Sequence, residues 1–159
     1  MSVEDRKNLL DGFASHVGRD AVSIDDDYSS AMIFVQSQSQ SIDVLIQFAE
    51  DSNGKPTITL EYALVAGEDL PIDEIGYSMH VINYATMCKQ GIPDFILALR
   101  PGVETADGEQ RLPSAAVMVV GVLFADFGAS ELIALFESRI QQAFGVKKAL
   151  LELIVSVSE

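Results

Sequence analysis

Apolar positions recur along this chain with two different periods, and each change of period marks an element. Leu10, Phe13 and Val17 recur at helical spacing. They are bounded by Ser2 and Asp5 at capping-box spacing and by Gly18, which predicts a helix over residues 3–17. The charged residues Glu4, Asp5, Arg6 and Lys7 crowd its first turn, so the apolar face is narrow and lies towards its end.

From Ala31 the period becomes two. Ile42, Val44, Ile46 and Phe48 alternate with Asp43, Leu45 and Gln47, while Ile58, Leu60, Tyr62 and Leu64 alternate with Thr59 and Glu61. Both runs predict strands with one buried face. Asn53-Gly54 between them suits a tight antiparallel reversal with positive φ. An earlier strand over residues 31–36 completes a three-stranded meander, set apart by the polar tract Ser37-Gln38-Ser39-Gln40-Ser41.

Helical spacing returns over residues 73–89 through Ile75, Met79, Ile82 and Met87, with Gly91 and Pro93 as stop signals. Phe95, Leu97 and Leu99 alternate as another strand, and residues 101–113 form a polar loop with Asp107-Gly108 at its turn. Residues 115–124 then make a strand that is apolar on both faces. Such a strand in a half-exposed antiparallel sheet needs a second cover, either the protein's own helices or another copy of the chain. Ser130 is the predicted cap of a last helix, whose Leu132, Ile133, Leu135, Phe136, Ile140 and Phe144 form a broad apolar face. Gly145 is a predicted interruption before an apolar tail over residues 146–157. The pattern predicts one α+β domain over residues 1–159: a helix, a three-stranded antiparallel meander, a second helix, two or three further strands and a C-terminal helix.

Composition narrows the partners. The 159 residues are 48% hydrophobic, enough for one packed core, and carry 24 acidic against 10 basic residues for a formal net charge of -14. That charge repels phosphates and anionic headgroups, so neither nucleic acid nor a membrane surface is an expected partner. Cys88 is the only cysteine, and the charged N-terminus lacks the apolar run of a signal peptide, so the expected location is the cytoplasm.

No constellation for chemistry emerges. Phosphate-binding glycine loops are missing, and His16 and His80 belong to no metal-ligand spacing. Counting a calcium loop from Asp25 places Ser30 where glycine is required and Gln36 where the bidentate glutamate belongs, so Asp25-Asp26-Asp27 is a solvated turn. The acidic pairs Glu68-Asp69 and Asp73-Glu74 suit a helix N-terminus, Cys88 has no reactive-cysteine signature, and the serines lack a nucleophile elbow. No catalytic residue, metal or cofactor is expected, and the protein is expected not to be an enzyme.

The order of elements, the acidity and the segment Leu9-Leu10-Asp11-Gly12-Phe13-Ala14-Ser15-His16-Val17-Gly18 resemble the class I chaperones of bacterial type III secretion, the Tir-type effector chaperones. The segment is similar to the family's first-helix pattern of two leucines, then Phe-Ala, then glycine. The resemblance implies a homodimer built on helix two and the late strand, here Val81, Tyr84, Ala85, Val117, Val119 and Gly121. It also implies an extended segment of a secreted effector docked on helix one and the first sheet, here Leu10, Phe13, Val17, Phe34, Val44 and Ile46. The loop over residues 101–113 and the apolar tail are longer than in that family. The strand over residues 117–125 and the helix start Gly128-Ala129-Ser130-Glu131-Leu132 are similar as well to the YbjN-like family, which implies instead a regulatory protein-binding domain without a secretion role.

Overall fold

The computed structural model describes residues 2–37, 40–67, 71–90, 94–104, 111–112, 114–123 and 128–158. Helix α1 (Val3–Val17) starts where its cap predicts. The Ser2 hydroxyl accepts from the Asp5 N–H at 3.1 Å and the Asp5 carboxylate accepts from the Ser2 N–H at 3.3 Å; the Ser2 side chain and then its N–H, beside the carboxylate, hold the Asp5 carboxyl below its ordinary pKa. Gly18 ends the helix at φ 106, a backbone state that side chains disfavour.

After a short turn at Arg19–Ala21 come β1 (Val22–Ile24), β2 (Ser30–Ser37), β3 (Gln40–Glu50) and β4 (Pro56–Ala66). Helix α2 (Ile72–Gln90) leads to β5 (Ile96–Arg100), a small hairpin of β6 (Val103–Glu104) and β7 (Arg111–Leu112), then β8 (Ala115–Leu123) and helix α3 (Ala129–Ser158). The main sheet has the order β1-β2-β3-β4-β8-β5, with every neighbouring pair antiparallel.

All three helices lie on one face of the sheet. Ile33, Val44, Ile46, Leu60, Tyr62 and Met118 point into that layer and pack with Leu10, Phe13, Ile75, Leu132 and Phe136. At Gly12 an added Cβ would stand 3.0 Å from the Ala129 Cβ, so the absent side chain is what lets α1 and α3 approach closely.

Three expectations change. The meander has four strands, because Val22-Ser23-Ile24 pairs with Ala31–Ile33, and the Asp25-Asp26-Asp27 turn becomes the tip of that hairpin. Helix α3 runs unbroken through Gly145, since packing on α1, α2 and β4 outweighs the roughly 1 kcal/mol that glycine costs a helix. Ser130 sits inside the helix; the Glu131 side chain instead accepts from the Gly128 N–H at 3.0 Å. The reversal after β3 runs through Asp51-Ser52-Asn53-Gly54 to Lys55: Asp51 Oδ1 accepts from the N–H groups of Asn53 and Lys55, and Gly54 has the positive φ. Asp107-Gly108 lies outside the described residues.

Tyr62 has its ring stacked with Phe136 at 6.3 Å, and its hydroxyl donates to the Phe136 carbonyl at 3.3 Å. Burial raises its hydroxyl above the ordinary value of 10.0 by penalising the anion. A raised folded-state pKa gives stability that is complete below pH 10.0 and declines as pH climbs beyond it. In an absorbance titration, one of the four tyrosines should therefore resist ionisation until the protein unfolds.

Candidate protein-binding site

The two edges of the sheet are finished differently. At β5, the Asn83 side chain of α2 accepts from the Leu97 N–H at 2.9 Å and donates to the Leu97 carbonyl at 3.0 Å. Leu97 therefore turns its main-chain groups away from β8, and the Asn83 amide occupies the place of a further strand.

At the opposite edge, β1 covers β2 only at Ala31, Met32 and Ile33. The Asp25 N–H donates to the Ser30 carbonyl and the Phe48 N–H to the Ser29 carbonyl, which sets the alternation: even-numbered β2 residues address β1 and odd-numbered ones address β3. Beyond Ile33, the main-chain N–H and C=O groups of Phe34 and Gln36 consequently face outwards, with no strand opposite them among the described residues.

A groove of ≈ 400 Å³ lies along this open stretch. Val17, Ala21, Ile33, Val35 and Phe136 line it, and His16 and Glu137 stand at its rim with Nε2 and Oε1 3.2 Å apart. Four elements build it: the end of α1, the turn at Arg19–Ala21, the later half of β2 and the first half of α3.

Among the described residues no helix covers the opposite face of the sheet. Its register rows run Phe34, Asp43, Ala63, Val117, Ala98 and Met32, Leu45, Glu61, Val119, Ile96. Phe34 and Ile96 are 54% and 56% exposed there, whereas Val117 is 2% exposed. Arg100 lies in register with Ala115 and Glu61 with Val119, so their ion pair of 3.3 Å stretches over Val117 and roofs it.

Of the six residues that the resemblance implies for the client, the structure brings two, Val17 and Phe34, to the groove. The other four need correction: Leu10, Phe13, Val44 and Ile46 are fully buried in the core, where no client can touch them. Their alternation marks burial, and burial here is against the chain's own helices.

The six implied dimer residues also divide. Tyr84 and Ala85 are exposed and Val81 half-buried on α2, in the helical layer. Val119 and Gly121 lie on the far face of the sheet, and Val117 is already covered. The structure therefore does not bring the six onto one face. Val35, Gln36 and Phe136 belong to the groove without having been assigned to a partner in the sequence, because the open stretch of β2 depends on where β1 begins.

Among the described residues no group of His, Cys, Asp or Glu could hold a metal ion, and no helix is long and apolar enough to cross a membrane. Comparison of the chain with protein-family models, curated proteins and solved structures finds no match.

Proposed function

We propose that the protein binds an extended segment of another polypeptide, as a secretion chaperone holds the N-terminal region of an effector soluble and competent for export, and that it does so as a homodimer. The observation that carries this reading is the main chain of Phe34 and Gln36, which has no strand opposite it among the described residues and lies beside a groove lined by Val17, Ile33, Val35 and Phe136. An edge strand left open over a few residues is a template for strand addition, with main-chain hydrogen bonds for affinity and a groove for alternate side chains. The Asn83 side chain supports it further, because it blocks strand addition at Leu97 on the other edge.

The exposed Tyr77, Tyr84 and Met87 on α2 offer apolar surface for a twin copy. Co-expression with secreted effectors tests the reading. A stable complex with two copies of this chain per client, in which the client's N-terminal region is shielded from proteolysis, is the expected result. A chain that stays monomeric and shields no effector segment rejects it, and recovery of a regulatory protein instead would favour the YbjN-like alternative.

A further inference from the structure

We infer that the segment added to β2 alternates apolar with basic side chains, an inference that rests on the strand-binding reading above. A strand paired antiparallel with Phe34 and Gln36 sends successive side chains to opposite faces of the sheet. One set enters the groove beside the apolar side chains of Val17, Val35 and Phe136, where the polar lining residues His16 and Glu137 already face each other. That set is apolar.

The other set emerges on the face opposite the helices, next to the exposed ring of Phe34. Asp43 stands directly across from Phe34 on β3, exposed and without an ion pair among the described residues. Lys147 lines one cleft with Asp43 but forms no ion pair with it, donating instead to the Ser41 carbonyl at 3.1 Å. Strands are about 4.8 Å apart, so a lysine or arginine on the added strand lies over the Phe34 ring with its charge directed at Asp43. The formal net charge of -14 favours the same sign of partner at longer range.

The test uses three fluorescein-labelled peptides of equal length: alternating Val/Lys, alternating Val/Ser, and a scramble of the Val/Lys composition. Anisotropy at physiological salt is read with the wild-type chain, Asp43→Asn, Phe34→Ser and Gln36→Pro. The Val/Lys peptide should bind about tenfold tighter than Val/Ser, as one ring contact and one opposed charge imply. Asp43→Asn should remove that advantage without changing Val/Ser binding, Phe34→Ser should shrink it, and Gln36→Pro should weaken both peptides by about tenfold or more. Equal binding of Val/Lys and Val/Ser overturns the charge pattern and leaves strand addition standing. No binding of either alternating peptide overturns strand addition as well, and a scramble that binds like Val/Lys reduces the effect to bulk attraction.

Discussion

Phe13→Ala should lower folding stability by about 3–5 kcal/mol, the range for truncating a buried aromatic residue. The ring is fully buried and meets Phe136 edge-on at 5.2 Å and 84°, while Phe136 in turn stacks with Tyr62. Truncation opens a void where α1 and α3 meet the sheet, and a fold of this size has only about 5–15 kcal/mol in total. Urea denaturation should show the midpoint falling with the slope kept. Phe34→Ser should leave the midpoint almost unchanged, since that ring is 54% exposed. Similar losses from the two substitutions would contradict the division between core and groove drawn here.

Gln36→Pro and Val35→Pro should have opposite consequences, although the positions are adjacent. The Val35 N–H points to β3, where Val35 pairs with Ile42, so a proline there breaks the ladder and should cost about 3 kcal/mol. The Gln36 N–H points outwards, and edge positions of that kind accept proline, so stability should change by less than about 1 kcal/mol. What Gln36→Pro removes is the donor that an added strand needs, and its ring stands in that strand's path. Affinity for an extended peptide should fall by about tenfold or more, combining a lost hydrogen bond with a steric clash. Denaturation and anisotropy on the same two variants measure both effects, and unchanged peptide binding by Gln36→Pro would place the partner elsewhere.

The contrast between these neighbours shows what sequence patterning reaches. Ile42, Val44 and Ile46 announce a strand and its buried face because burial repeats every second residue, and Leu10, Phe13 and Val17 announce a helix because it repeats every third or fourth. Nothing in that periodicity distinguishes Val35 from Gln36 in the direction of their N–H groups. Direction follows from the hydrogen bond between Asp25 and Ser30, and openness from the start of β1 at Val22, a strand of three residues that is too short to stand out. The same blindness explains why Leu10, Phe13, Val44 and Ile46 suited a client in the sequence and lie in the core in the fold: an apolar stripe records that something covers it, not what does.

By itself the chain's sequence determined the α+β order of elements, the capping of α1, the strong acidity and the residues that leave water. Those are local matters of period, propensity and charge. Tertiary structure alone decided that the described helices share one sheet face, that Asn83 plugs the β5 edge at Leu97, and that Phe34 and Gln36, with no strand opposite them among the described residues, lie beside a groove. Edges and faces arise from pairing between residues far apart in the chain, so no single segment carries them.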